Sequence, residues 1–250
     1  MPRSARACCA ACNQPDYRES SPATVGCGRL WGPPQPREKL LAQPELSTPR
    51  LLLRPFTPAD AGSLQRLAND PTIADGSLTL PHPYPPGLAE RWIASHPDYW
   101  RQQSAVIFAI SERKSRQLLG SISLVLREER QRDRSLWLIG SLGYWLGREY
   151  WGRGYMSEAV TTLLAFAFEE LGVDCIEAEH HRDNPASGRV LVKSGLQFGE
   201  LRRHDHERHG AHDRCHYRLS WPQYRQWRTS AQPAGESSTP EPQPPAAPQA

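Results

Sequence analysis

Residues 143–168, GYWLGREYWGRGYMSEAVTTLLAFAF, decide the fold. They close a strand, Leu136–Leu146 (LWLIGSLGYWL), whose Leu, Ile, Trp and Tyr content suits a buried sheet. A glycine-bearing turn, Tyr150–Tyr155 (YWGRGY), follows, and the spacing predicts a helix opening just after Gly154. There Val160, Leu163, Leu164, Ala167 and Leu171 form one apolar stripe at helical period, and Gly172 is a natural stop. A helix N-terminus has unpaired N–H groups and carries roughly half a positive charge. Gly152 and Gly154 lack a Cβ, so an anion can come close to the backbone, and Arg148 and Arg153 add formal charge. An ordinary strand-to-helix turn of an α/β domain satisfies the same glycine spacing. No G-x-x-x-x-G-K-[ST] occurs and no G-x-G-x-x-G opens this helix, which excludes a P-loop and a dinucleotide fingerprint.

The remaining pattern, Y-W-G-R-G-Y-M-S-E-A, resembles the GNAT acetyltransferases, whose pyrophosphate loop reads Arg/Gln-x-x-Gly-x-Gly/Ala. Within them it is most similar to the ribosomal-protein alanine N-acetyltransferase (RimJ/RimL) branch. The resemblance runs from about Leu46 to Trp227. It rests on Tyr144–Trp145–Leu146, on Trp151–Gly152–Arg153–Gly154–Tyr155, and on the opening run R-L-L-L-R-P-F-T-P-A-D-A. The first motif position is Glu149 rather than Arg or Gln.

Composition sets the frame. The 250 residues are 38% hydrophobic and 23% charged, enough for one domain with a core plus tails. A net charge of +3 does not by itself call for nucleic acid. No apolar run reaches membrane-spanning length, and the N-terminus lacks a secretory h-region. Cys8, Cys9, Cys12 and Cys27 lie in the leader, with Cys175 and Cys215 in the domain. That is no disulfide framework, and a reducing cytoplasm is the expected compartment.

Residues 1–45, rich in Pro, Gly, Ser, Arg and Cys, read as a disordered leader. Cys9-Ala-Ala-Cys12 with Cys27 lacks the second pair that a structural zinc site needs. The domain is expected over 46–228, with a strand at Arg50–Phe56. Thr57, Pro58 and Asp60 then start a helix. Ser77–Pro86 is a proline-studded loop and Leu88–Trp100 a helix. Ala105–Ile110, Leu118–Leu126 and Leu136–Leu146 form an antiparallel meander with charged loops at Ser111–Gln117 and Arg127–Ser135. Val173–Glu179 returns parallel to the Leu136 strand. Asn184 caps a helix with Pro185 at its first position and Gly195 at its end. Two strands, Leu196–His206 and His212–Ser220, and a short cap, Trp221–Trp227, complete the domain, and 229–250 is a Pro/Ala/Gln-rich tail. The order gives an α/β class (an α+β mixed sheet) with helices on both sides; the resemblance implies the GNAT fold, with its two central parallel strands splayed.

The resemblance implies acetyl-CoA as co-substrate, lying in the splay. Its pyrophosphate would meet the backbone of Trp151, Gly152, Arg153, Gly154 and Tyr155, and its pantetheine the strand end at Tyr144, Trp145 and Leu146. Asn184 and Ser187 form the second anchor, with Ser187 a candidate proton donor to the thiolate, although helix capping explains Asn184 equally well. In that branch a Glu often stands two residues before Gly-Tyr-Trp. Here the position is Ser141, which cannot serve as a base. Glu179, Glu177 and His180 are the substitutes, with Glu179 preferred and Glu177 read as a solvated charge.

The expected activity is transfer of an acetyl group to a primary amine, a protein N-terminal α-amine or a small-molecule amine. The rival from another class is an inactive acyl-CoA-binding sensor. Seven of nine histidines lie between His180 and His216, and His204 with His206, or His212 with His216, share a strand face. Spacing alone does not specify zinc, so no metal is expected. The basic hairpin leaves an acidic acceptor or RNA as further partners, with nucleic acid the less expected, and the chain is expected to be a monomer or homodimer.

Overall fold

The computed structural model describes residues 42–77, 80–206 and 210–231. Residues 1–41 and 232–250, and with them Cys8, Cys9, Cys12 and Cys27, lie outside the described residues. The chain runs β1 (Leu46–Ser47), β2 (Leu51–Arg54), α1 (Ala61–Ala68), α2 (Pro71–Gly76), α3 (Leu88–Arg101), β3 (Ala105–Glu112), β4 (Leu118–Arg130) and β5 (Leu136–Leu146). It continues through α4 (Tyr155–Ala165), β6 (Cys175–His181), α5 (Pro185–Lys193), β7 (Gln197–His206), β8 (Gly210–Ser220) and α6 (Trp221–Ala231). Among the described residues one eight-stranded sheet has the order β1-β2-β3-β4-β5-β6-β8-β7, and only β5 and β6 pair in parallel.

Helices flank this sheet. α1 and α3 pack on β4 and β3, α4 on β2 and β5, and α5 on β6 and β7. Val160, Leu163, Leu164 and Ala167 are fully buried, so the helical stripe read from the sequence is the seam of the core. Past Ala165 the helix widens into a π segment, Phe166–Glu170, before Gly172. Thr57 is the cap the sequence predicts and forms a capping box with Asp60, but the turn they open is a single 3₁₀ turn that leads into α1. Asp60 also takes a bidentate pair from Arg54, at 2.8 and 2.7 Å.

Some boundaries differ from the sequence reading. Arg127–Arg130 is strand rather than loop, because it pairs with Ile139–Leu136, although all four of its charged residues are exposed. The terminal cap is a full helix to Ala231, held by stacking of Phe168, Trp221 and Tyr224. Contact with the domain starts before residue 46, since Gln43 donates to the Ile107 carbonyl at 2.9 Å.

The decisive feature is where the parallel pairing stops. β5 and β6 are in register from Ile139–Cys175 to Leu142–Ala178 and no further. Beyond that rung β5 stays on β4, down to Leu146–Gly120, and β6 stays on β8, out to His181–Arg214. Each strand keeps its outer partner while the inner edges part. Gly120 explains the direction. A Cβ there would sit 2.2 Å from the Trp145 carbonyl oxygen, so the end of β5 is drawn tightly onto β4 and away from β6.

Candidate active site

The gap leaves backbone groups without ladder partners. Gly147 N–H bonds Leu119 O at 2.9 Å, which makes Leu146–Gly120 a non-hydrogen-bonded pair. By ladder alternation the N–H and C=O of Tyr144 and Leu146 turn away from β4 and into the gap. The Leu146 carbonyl is taken by the Trp151 indole N–H at 2.8 Å, which ties the glycine turn to the strand end. The N–H groups of Tyr144 and Leu146 and the carbonyl of Tyr144 face the open space between the strands.

The glycine turn ends in α4. Gly152 has φ +73° and Gly154 φ +76°, left-handed values that favour glycine. No atom lies within 4 Å of a Cβ built on Gly152, so the turn presents bare backbone to open space. Gly154 caps α4, whose first-turn N–H groups face the same cavity. That cavity, about 430 Å³, runs from Leu146 past Gly152, Gly154 and Tyr155 to Asn184, Ser187 and Lys193. Together, the bare turn, the helix end and an apolar slot between strands suit an elongated ligand with an anionic middle.

On α5 the Asn184 side chain accepts from Ser187 N–H at 3.2 Å, so Asn184 is the cap the sequence predicts. The Ser187 hydroxyl lies 2.8 Å from the Tyr144 hydroxyl. Burial pushes the Tyr144 phenol far above its usual value, with the Ser187 hydrogen bond opposing only weakly, so the phenol stays protonated. The sequence reading placed Tyr144 here by its backbone alone. Strand alternation could have found its side chain, because Tyr144 shares a face with the buried Leu142 and Leu146.

A second cavity, about 600 Å³, lies on the other side of the gap between Tyr84 and Trp92 and the sheet residues Ser121, Ser123 and Ser141. It meets the first cavity at Gly143–Trp145 and at Glu179–His180, where the strands part. Glu179 lines both cavities, whereas Glu177 lines only the second. Glu179 is ringed by Arg202, His204 and Arg214 at 3.6, 3.6 and 3.7 Å, longer than hydrogen bonds.

Glu177 is committed elsewhere. Arg127 bonds it at 2.6 Å and Arg218 at 3.3 Å, and the same Arg127 donates to the Ser141 hydroxyl at 2.9 Å. Burial alone would raise the Glu177 carboxyl. The Arg127 hydrogen bond and the charges of Arg218 and Arg127 outweigh it and hold the group below the usual carboxylate range. Glu177 stands opposite Ser141 in the β5–β6 register, so the carboxylate missing from β5 is present one strand over, inside an ion-pair lattice. His180 is buried. Its Nδ1 lies 2.7 Å from the His181 carbonyl oxygen and its Nε2 3.5 Å from the Tyr217 hydroxyl, and burial lowers its proton affinity.

Among the described residues no group of three or more His, Cys, Asp and Glu is placed to hold a metal ion. His204 turns to Glu179 and His216 is buried. The side chains of His206 and His212, and His209 entirely, lie outside the described residues. No described helix is long and apolar enough to cross a membrane.

The fold is an α/β sheet whose two central parallel strands part, with one elongated cavity in the gap and a second cavity that meets it there. Residues 50–197 match the family model of the acetyltransferase (GNAT) domain. The uncharacterized N-acetyltransferase YoaA of Bacillus subtilis (strain 168) is 26% identical over 181 residues, 72% of this chain and 98% of its own. Among solved structures, RimL, the ribosomal L7/L12 alpha-N-protein acetyltransferase, in complex with coenzyme A, superposes with a TM-score of 0.61. It is 16% identical and covers 71% of this chain and 98% of its own. MccE, the microcin C7 self immunity acetyltransferase, in complex with acetyl-CoA and AMP, gives a TM-score of 0.59 at 16% identity, covering 69% and 93%. The chain belongs to the GNAT acetyltransferase family and is an N-acetyltransferase. Coenzyme A and acetyl-CoA are bound in those structures of the same fold.

Proposed function

We propose that this protein transfers an acetyl group from acetyl-CoA to a primary amine, a protein N-terminal α-amine or a small-molecule amine, by direct attack in the gap between β5 and β6. The observation that carries this is the meeting of the two cavities at Gly143–Trp145 and Glu179–His180. Bound in the first cavity, acetyl-CoA supplies an activated thioester. The backbone of Trp151, Gly152, Arg153, Gly154 and Tyr155 holds its pyrophosphate, and the edge of Tyr144, Trp145 and Leu146 pairs with its pantetheine. Asn184 fixes the N-terminus of α5 beside it.

Glu179 accepts the amine proton, directly or through a water, as the new C–N bond forms. The N–H groups of Tyr144 or Leu146 donate to the carbonyl oxygen as it gains charge. The paired hydroxyls of Ser187 and Tyr144 deliver a proton to sulfur as the C–S bond breaks. An α-amine with a pKa near 8 is about one-tenth neutral at pH 7, whereas a lysine near 10.4 is neutral about once in a few thousand. A weak base such as a carboxylate is therefore more tolerable for an α-amine. RimL, an alpha-N-protein acetyltransferase of the same fold, supports that choice. The cysteine pattern of the sequence, which is no disulfide framework, supports the cytoplasm as the place of work. The catalytic unit is residues 46–228.

The test is thiol release from acetyl-CoA with N-terminal peptides, polyamines and aminoglycosides, beside Gly154→Trp. Turnover with an α-amine acceptor that Gly154→Trp abolishes is the expected result. Turnover confined to lysine side chains would overturn the acceptor assignment, and normal turnover by Gly154→Trp would overturn the coenzyme site.

A further inference from the structure

We propose that Arg50, in the turn between β1 and β2, is a positioning residue that sets the orientation of the pyrophosphate-binding turn from behind. The inference rests on the coenzyme site proposed above. Arg50 does not line the coenzyme cavity. Its Nη1 donates to the Arg153 carbonyl at 2.8 Å, and its Nε bonds Glu158 at 2.7 Å, with Nη2 also 2.7 Å from that carboxylate. Its guanidinium stacks over the Tyr155 ring, 4.7 Å from the centroid. One planar fork thus grips Arg153 of the turn and the first turn of α4 together.

The peptide bond explains how this reaches the ligand. In a trans peptide the C=O of one residue and the N–H of the next point in opposite directions. Pinning the Arg153 carbonyl toward Arg50 therefore turns the Gly154 N–H to the other side, where Gly152, Gly154 and Tyr155 line the cavity. Without the pin, the left-handed glycine at 154 leaves that peptide free to flip.

Glu158 is the anchor. It accepts from the Thr48 hydroxyl, from Arg50 N–H at 3.0 Å and from the Arg50 guanidinium. Burial would raise its carboxyl, and the Thr48 and Arg50 hydrogen bonds outweigh it and hold it below the usual range. It is an anion in the first turn of α4, yet it is spent on the β1–β2 turn, so the helix end keeps its own charge for a ligand. Nothing in the spacing of the glycine turn announces this, because Arg50 lies 103 residues before its carbonyl partner.

The experiment compares wild type, Arg50→Met, Arg50→Lys and Thr48→Val with two donors: acetyl-CoA, and S-acetyl-N-acetylcysteamine, which has a thioester and an amide but no pyrophosphate. Losing the charge-assisted bond to the Arg153 carbonyl should raise KM for acetyl-CoA about tenfold in Arg50→Met. The kcat at saturation should stay within about twofold, and KM for the short donor should not move. Arg50→Lys keeps the charge but not the fork, so it should restore little, and Thr48→Val should give a smaller rise. Equal losses with both donors would reduce Arg50 to a structural role, and full rescue by lysine would replace geometry with charge; either overturns the proposal. Gly154→Trp separates the two levels. If it keeps normal acetyl-CoA binding, the coenzyme site itself is misassigned. If it loses binding while the Arg50 variants keep theirs, the positioning role alone falls.

Discussion

The hydroxyl groups of Tyr144 on β5 and Ser187 on α5 lie 2.8 Å apart, bridging the strand end and the helix start that flank the gap. Tyr144 also reaches the Ser187 carbonyl oxygen, at 3.3 Å. A buried phenol kept protonated and a serine hydroxyl beside it make a two-member relay, so their contributions should not add. Tyr144→Phe and Ser187→Ala should each lower kcat about tenfold to a hundredfold. The double variant should be little worse than the poorer single one. A double variant whose loss is the product of the two would mean that the hydroxyls act separately.

The two carboxylates of β6 should divide their effects. Glu179 borders both cavities, and Glu179→Gln should lower kcat about a hundredfold with a small change in melting temperature. Glu177 joins Arg127, Ser141 and Arg218, and Glu177→Gln should cost about 1–3 kcal/mol of stability with a smaller loss of kcat. Its lowered pKa fixes the sign. The stabilisation is present above the unfolded value near 4.5 and is lost as pH falls through the folded value. Wild type and Glu177→Gln should therefore converge in stability as pH drops below about 4.5. Denaturant titrations at pH 7 and below pH 4 check this, and a gap that stays constant would place the lattice outside the stability of the fold.

What the sequence announces and what it hides divide along contact distance. The turn at Gly152–Gly154, the stripe on α4, the Asn184 cap and the parallel return of β6 are local or periodic, and each appears where its pattern predicts. The Arg127–Glu177 pair spans 50 residues and the Tyr144–Ser187 pair 43. In a chain with 30 Lys and Arg and 27 Asp and Glu, no pattern says which cation meets which carboxylate. Ser141 shows the cost. Read alone it looks like a lost base, whereas the sheet register puts Glu177 opposite it and the open strand end puts Glu179 at the junction. The strand end Arg127–Arg130 was hidden for another reason, since four consecutive exposed charges lack the alternation of a half-buried strand and look like loop until their partner strand is known.

Gly188 tests how tightly the junction is built. A Cβ there would lie 2.7 Å from His180 Nε2 and 3.2 Å from the Tyr217 hydroxyl. The His180 ring has little room to retreat, because its Nδ1 is held 2.7 Å from the His181 carbonyl oxygen. Gly188→Ala should cost about 1–3 kcal/mol through overpacking and lower kcat by pushing His180 into the gap. Adding His180→Ala should recover much of the melting temperature, since the two changes share one space. A Gly188→Ala protein with unchanged melting and turnover would show that α5 can shift without disturbing the site.

His96 on α3 gives the fold a pH dependence of its own. It is 6% exposed, and neither ring nitrogen has a hydrogen-bond partner among the described residues. Trp92 and Phe56 meet its ring edge-on, with centroids at 4.3 and 5.3 Å. Burial lowers its pKa from 6.5 to about 4. Between those values the unfolded chain binds a proton that the folded chain refuses, so stability present above pH 6.5 is lost as pH falls toward 4. At about 1.4 kcal/mol per pKa unit the loss is of order 3 kcal/mol at most. The carboxylates with lowered values, Asp60, Asp70, Glu158 and Glu177, start to lose their stabilisation only below their unfolded range, so the upper part of the window belongs to histidine. His180 and His216 are also lowered by burial and share it, so a substitution must isolate His96. His96→Leu keeps the apolar contacts and removes the titration. Its stability relative to wild type should be constant above pH 7 and should grow in its favour as pH falls to 5. Denaturant melts of both proteins at pH 7, 6 and 5 measure that difference. A difference that does not change with pH would mean that His96 takes up its proton inside the fold as easily as in the unfolded chain.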